Sequence, residues 1–264
     1  MLIMTQVIIP ATISNNVPGT EYSIGSDTCL NALIQYSDAC RQSASASRRR
    51  VFVIETQGGE SGYIATLAGL SIGALAVYTP EDGIDLKMLD RDIDHLRDVF
   101  IKDKGNSRSG KVILVNEKAS KVYSVQIIAQ MIADAGKGKF ESRHGVPGHF
   151  QQGTTPSPMD RVRAVRFATK AMQHIETYAG MSHEEIEDDP LSVSVIGIKG
   201  SKLLFSPMES VEKKETEWHR RRPKHEFWMA LKEMVNTLSG RPGAPAKPAD
   251  VDTLAGRPGK VEMV

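Results

Sequence analysis

Cysteine is scarce. The chain of 264 residues holds two, Cys29 and Cys40. Both fall in one helical pattern and lack the spacing of a metal site or a disulfide framework, so two reduced structural thiols are expected. Net charge is nearly absent, at +1 from 33 Lys and Arg against 32 Asp and Glu. Nothing in that balance points to nucleic acid or to a membrane surface. No apolar run is long enough to span a bilayer. The opening Met1-Leu2-Ile3-Met4-Thr5-Gln6 has no charged region and no cleavage pattern, so no signal peptide is read there. A cytoplasmic chain is the expectation. No G-x-G-x-x-G follows the first strand, which removes a Rossmann-type nucleotide-binding oxidoreductase.

What is present is organised around Arg48 to Tyr63: a basic lead-in, Arg48-Arg49-Arg50, then Val51-Phe52-Val53-Ile54, then the turn Gln57-Gly58-Gly59. The unbroken apolar run predicts a strand covered on both faces, as in a parallel sheet flanked by helices. Gly58-Gly59 permits a tight turn with exposed N–H groups at the carboxyl end of that strand, where open α/β sheets bind small molecules. A plain strand-to-helix turn is the ordinary alternative.

Along the chain, Val7-Ile8-Ile9 reads as a short buried strand, followed by the polar loop Pro10 to Thr20. Asp27 is placed to cap a helix in which Leu30, Leu33 and Ile34 recur. Gln42 to Ser47 reads as a small-residue connector. Further helices are predicted over about Gly62 to Gly73, Leu86 to Phe100, Val122 to Ala135, Pro158 to Tyr178, and a last one ending near Leu238. Gly136-Lys137-Gly138 closes the third of these. Strands are predicted at Leu75 to Tyr78 and Val112 to Val115, with a pair at Val193 to Ile198 and Leu203 to Phe205. Lys102 to Ser109 reads as an exposed loop. The segment 240–264 has no apolar period and reads as a disordered tail after a single domain over 1–239. Strand, loop and helix in repetition give an α/β class with a mainly parallel sheet flanked by helices. A first strand with almost no lead-in suggests a sheet incomplete at the N-terminus.

Three apolar strands deliver polar residues at their carboxyl ends: Thr12 to Asn16, Gln57 to Gly59, and Asn116-Glu117. Parallel strands would set these along one sheet edge. Hydroxyl, amide, backbone N–H and carboxylate suit a polyhydroxylated ligand. Arg50, Arg143, His149 and Arg220 to Arg222 add cations that match phosphate oxygens. A sugar carrying more than one phosphate follows. Ordinary alternatives stand beside each: a solvated run for Arg48 to Arg50, surface pairing of Glu117 with Lys118 or Lys121, a structural role for His149, solubility for Arg221.

Pro10-Ala11-Thr12-Ile13-Ser14-Asn15-Asn16-Val17-Pro18-Gly19-Thr20, Arg49 to Gly59 with Gly62-Tyr63, Val115-Asn116-Glu117-Lys118, and Gly148-His149-Phe150-Gln151-Gln152-Gly153 resemble ATP-dependent 6-phosphofructokinase. The match is to the carboxy-terminal half of the eukaryotic enzyme, over about Val7 to Leu238. It implies a phosphofructokinase-like fold. The eukaryotic enzyme joins two copies: the first phosphorylates fructose 6-phosphate with Mg-ATP, and the second holds the activator fructose 2,6-bisphosphate. Carried over, Thr12, Ile13, Ser14, Asn15 and Asn16 line the sugar and one phosphate. Arg50 and Arg143 reach a phosphate across a subunit interface. Gln57, Gly58 and Gly59 pack on the sugar, and Glu117 bonds its hydroxyls. His149, Phe150, Gln151, Gln152 and Arg221 hold the other phosphate.

The departures carry information. Catalytic members read Thr-Ile-Asp-Asn-Asp where this chain has Thr12-Ile13-Ser14-Asn15-Asn16, so Ser14 replaces the aspartate base. A neutral hydroxyl with no partner base does not abstract a proton near neutral pH. Gln152 replaces the arginine of His-x-Gln-Arg, and no Gly-Gly-Asp-Gly-Ser loop for Mg-ATP is present. The resemblance therefore implies a regulatory, non-catalytic portion of 6-phosphofructokinase, with no metal or cofactor of its own and with the catalytic half or other subunits as partners. A stand-alone sugar-phosphate sensor, or a regulatory subunit docking on a separate catalytic chain, is the alternative.

Overall fold

The computed structural model describes residues 4–46, 49–102 and 110–242. Ser47, Arg48, most of the predicted 102–109 loop and most of the predicted 240–264 tail lie outside the described residues. Two compact units are formed, and the division falls inside the first helix, between Ala32 and Leu33.

The first unit takes residues 1–32 and 149–225. Its sheet has the order β1 (Gln6–Ile8), β6 (Val193–Lys199), β7 (Lys202–Pro207). β1 runs parallel to β6, and β7 is antiparallel to it. Phe167 of α5 (Pro158–Glu176) packs on Ile196 and Ile198, with Val7, Tyr22, Ile24, Leu203 and Phe205 around them. α6 (His183–Asp188) starts on a capping box, Ser182 with Glu185. α7 (Met208–Ser210) leads to the two-stranded ribbon β8 (Thr216–Glu217) and β9 (Arg222–Pro223).

The second unit takes residues 33–148 and 226–264. It holds a four-stranded parallel sheet ordered β3 (Ala76–Tyr78), β4 (Lys111–Asn116), β2 (Arg50–Thr56), β5 (Glu141–Gly145). Val51, Val53, Ile113 and Val115 face Leu96 and Phe100 of α3 (Leu86–Lys102), and Ile128 and Ile132 of α4 (Val125–Gly136). Ile54 and Leu114, which point to the other face, are also fully buried. Both faces are covered, which is why the strands carry no polar alternation. α2 (Tyr63–Ile72) runs between Gly62 and a left-handed Gly73. α8 (Trp228–Ser239) docks through Trp228, whose ring meets Tyr63 edge-on at 5.9 Å and whose Nε1 donates to Glu81 Oε1 at 3.0 Å. Lys232 of α8 is buried; it donates to Thr79 Oγ1 at 2.9 Å and pairs with Asp82. Burial is the largest influence on this amine and pulls its pKa below the ordinary value.

Several sequence expectations change. Val7-Ile8-Ile9 is not buried: β1 is an edge strand, and Ile8 and Ile9 are 36% and 37% exposed. β1 also lies in a different sheet from β2 and β4, so the three polar strand ends do not share one sheet edge. Pairing of parallel strands is set by distant segments, which local pattern does not reveal. Asp27 sits inside the first turn of α1 (Ser26–Ala46) rather than before it, and accepts from Ser157 Oγ at 2.5 Å. Helix α4 begins at Val125 under a Ser124 cap, which leaves Val122 outside and 67% exposed. β5 carries the polar sequence Glu-Ser-Arg-His-Gly, and no apolar run announced it.

The residues 42–46 are helical rather than a connector. Their small side chains serve close packing: a Cβ at Gly110 would stand 2.3 Å from Ala44 Cβ and 2.7 Å from Arg41 O. α1 therefore runs against the backbone that enters β4. Gly110→Ala is expected to destabilise the protein by about 1–3 kcal/mol, because the backbone must shift to admit the methyl group. Thermal or urea unfolding checks this, and an unchanged midpoint contradicts the packing.

Candidate functional site

In the second unit, β2 and β4 pair in register to their ends, Thr56 opposite Asn116. Glu117 N extends the ladder by donating to Thr56 O at 2.9 Å. The two chains then leave the sheet at the same edge. Asn116, 1% exposed, fastens them: its Nδ2 donates to Ser61 O at 2.9 Å and its Oδ1 accepts from Lys118 N at 2.7 Å. Gly58 closes the turn, since a Cβ there would stand 2.8 Å from Ser61 O and 3.0 Å from Asn116 Nδ2. The amides of Gly58 and Gly59 point at Glu117 Oε1, at 3.2 and 3.0 Å. The N–H groups expected to face a ligand thus already hold a carboxylate of this same chain. Glu117 is exposed, so one edge presents an anchored carboxylate.

Glu55 was not singled out in the sequence. It lies on β2 opposite Val115, two positions before Glu117, and so shares that face. It is half-buried, and burial first, then the negative charge of Glu117, raises its pKa above the ordinary 4.5. Its sequence signal was an acid interrupting an apolar strand one residue before the polar end.

Arg50 and Arg143 are elsewhere in this unit. Arg50 starts β2, so the strand's length, roughly 20 Å at about 3.3 Å per residue, separates it from Gly58. Arg143 sits on β5 opposite Phe52. Both guanidinium groups converge on Glu141 Oε2, at 3.1 and 3.9 Å.

The first unit holds the remaining predicted residues. Asn15 organises the loop from Thr12 to Ser23. It is 2% exposed and has a positive φ of 52°. Its Nδ2 donates to Glu21 O at 2.7 Å, and its Oδ1 accepts from Ser23 N at 2.6 Å. Ser23 Oγ in turn donates to Thr12 O at 2.7 Å. Thr12, Ile13, Ser14 and Asn16 are half-buried on this frame, and Thr12 Oγ1 accepts from Ser14 N at 3.2 Å. Asn16 Nδ2 donates to Arg221 O at 2.8 Å, which joins two predicted residues far apart in sequence. Arg221 adopts a left-handed conformation, φ 50°, at the tip of the β8–β9 ribbon. The loop's one carboxylate, Glu21, is engaged with Gly200 N at 2.8 Å.

His149, Phe150 and Gln152 are exposed, whereas Gln151 is fully buried and donates to Cys29 Sγ at 3.4 Å. Burial, the largest influence, pushes the Cys29 thiol up to about 11, so it stays protonated and unreactive near neutral pH. Asp160 accepts from Thr28 N and Oγ1 at 2.8 and 2.6 Å, and Thr28 Oγ1 accepts from Ser157 N at 3.0 Å. This network ties the first turns of α1 and α5 together. Sequence reading passed over it because Thr28 and Asp160 are 132 positions apart.

Among the described residues, no group of three or more His, Cys, Asp or Glu is placed to hold a metal ion, and no helix is long and apolar enough to cross a membrane.

Glu55→Gln is expected to stabilise the protein at neutral pH. With its pKa raised in the folded state, Glu55 ionises first in the unfolded chain, so stability falls as pH rises past 4.5 and then levels off. The variant should melt higher than the parent at about pH 7 and together with it at about pH 3. Equal shifts at both values contradict the arrangement.

The family model for phosphofructokinase matches residues 3–175. The chain is 68% identical over 237 residues to the ATP-dependent 6-phosphofructokinase of Aspergillus niger, covering 89% of this chain and 30% of that protein. It is 49% identical over 261 residues to the ATP-dependent 6-phosphofructokinase subunit alpha of Komagataella phaffii, covering 88% of this chain and 26% of that one. Among solved structures, phosphofructokinase from Saccharomyces cerevisiae superposes with a TM-score of 0.83 at 48% identity, over 90% of this chain and 31% of that chain. The chain spans about 30% of the length of the Aspergillus niger relative it matches. On these grounds, this chain belongs to the phosphofructokinase family.

Proposed function

We propose that this chain is a regulatory, non-catalytic part of a 6-phosphofructokinase, and that it binds fructose 2,6-bisphosphate. The complete protein would transfer a phosphoryl group from Mg-ATP to fructose 6-phosphate in the cytoplasm, and this chain would supply an effector site. One observation carries the reading. The loop built on Asn15 presents the hydroxyls of Thr12 and Ser14 and the amide of Asn16, while its one carboxylate, Glu21, is held by Gly200 N. A loop so equipped donates and accepts hydrogen bonds but offers no base for the attacking sugar hydroxyl.

Roles divide by burial. In the first unit Thr12, Ile13, Ser14, Asn16, His149, Phe150, Gln152 and Arg221 are the contacts we propose, and in the second unit Gln57, Gly59 and Glu117, with Gly58 buried in the turn behind them. Asn15 and Gln151, with side chains turned inward onto Glu21, Ser23 and Cys29, act by positioning. Arg50 and Arg143 form, with Glu141, a cationic group that reaches across a subunit interface to a phosphate of the ligand held by a neighbouring subunit. The Komagataella relative is named as a subunit, and by extension the partners of this chain are other phosphofructokinase subunits.

Calorimetric titration with fructose 2,6-bisphosphate tests the proposal. Saturable heat is expected, weakened about tenfold or more by Arg143→Ala, since a charge-assisted phosphate contact is lost. A coupled assay with ATP and fructose 6-phosphate should stay at the buffer level. A folded sample with no saturable heat, or turnover abolished by Glu117→Gln, contradicts it.

A further inference from the structure

At the opposite end of β2 from Gly58 and Glu117, the second unit contains a cavity of about 290 Å³. It opens where Arg49 leads into β2, where Phe140 leads into β5, and where α3 and α4 end. Four cations line it: Arg49, Arg97, Lys137 and Lys139. Phe100 and Phe140, stacked at 5.1 Å and 22°, form its apolar floor.

The cations divide into two kinds. Arg97 is spoken for: it donates to Asp94 Oδ1 at 2.6 Å and to Ala135 O at 3.1 Å. That is the usual service of a cation at a helix C-terminus. For Arg49, Lys137 and Lys139, no side-chain hydrogen bond or ion pair is formed among the described residues. Two of these three, Arg49 at φ 55° and Lys137 at φ 46°, sit in the left-handed region. Lys137 occupies the C-cap position of α4, where glycine is the comfortable residue, with Gly138 directly after it. A disfavoured backbone at two neighbouring cation-bearing positions marks a place where side-chain chemistry outweighs conformational ease.

We propose that this cavity is a second anion site, separate from the sugar-phosphate site, for a small phosphate monoester with a flat apolar body. The phosphate sits among Arg49, Lys137 and Lys139, whose three positive charges suit a dianion. The ring lies toward the Phe100–Phe140 floor. Its size suits a ligand with one ring and one phosphate, being at the lower end of pockets that take small organic molecules.

The experiment titrates the full chain with phenyl phosphate, inorganic phosphate and phenol, read by calorimetry. Phenyl phosphate is expected to bind about tenfold or more tightly than either partial probe, because only it meets both the cations and the floor. Lys137→Glu with Lys139→Glu should weaken it about tenfold or more and flatten its dependence on salt, since the screened attraction is gone. Lys139→Gln, at an exposed position, supplies a milder variant with an unperturbed fold, and should weaken binding in the same direction. Arg143→Ala, on the sugar-phosphate site, should leave phenyl phosphate binding unchanged, so the two sites fail separately. Absence of saturable binding, equal affinity for inorganic phosphate and phenyl phosphate, or a loss on Arg143→Ala but not on the lysine variants overturns the proposal.

Discussion

The paired ends of β2 and β4 govern the second unit's chemistry. Parallel register carries Thr56 and Asn116 to the same edge, and the buried Asn116 amide then locks the turn after β2 to the strand beside it. Everything polar at that edge follows. Gly58 has no room for a side chain because Ser61 and Asn116 crowd it, and with the turn so closed its amide and that of Gly59 converge on Glu117. A buried amide left unpaired costs about 1–3 kcal/mol, so the lock is strongly favoured over an open turn. Its result is a carboxylate fixed in direction by two amides of its own chain, with Glu55 beside it adding to the local negative charge.

The first unit reaches the same end with other parts. There the loop after β1 is held by a side chain, Asn15, that imitates backbone partners for Glu21 and Ser23. Asn tolerates the left-handed conformation that the loop requires, because its short polar side chain bonds locally. Asn16 then reaches the Arg221 carbonyl and fixes the tip of a ribbon 205 positions away in sequence. In both units an interior amide, Asn116 or Asn15, does the positioning of its neighbours, the exposed Glu117 in one and the half-buried Ser14 and Asn16 in the other.

Much of this was legible in the chain. Continuous apolar runs gave the buried strands β2 and β4, helical spacing gave α3, and glycine gave the ends of α2. What stayed hidden was non-local or disguised. β1 reads like β2 but pairs with β6, since strand partners are chosen by packing across long separations. β5 carries charges at an edge, where one side needs no apolar cover. The small residues of 42–46 look like a linker, yet pack a helix onto the bare Gly110 backbone. For the sites, residue types pointed to sugar and phosphate chemistry, but not to which side chains face inward. Asn15 and Gln151 are polar and sit in polar stretches, yet each is spent on the interior. The cavity beside Arg49 left no sequence signal beyond scattered cations, because its lining comes from three separate stretches of chain.

The central claim is the proposal that this chain binds a phosphorylated sugar without turning it over. Amide hydrogen exchange with and without fructose 2,6-bisphosphate tests it most directly. The account predicts added protection at Ser14 to Asn16 and at Gly58 and Gly59, with little change at the β1–β6 pairing. Unchanged exchange at both loops in ligand excess would contradict it.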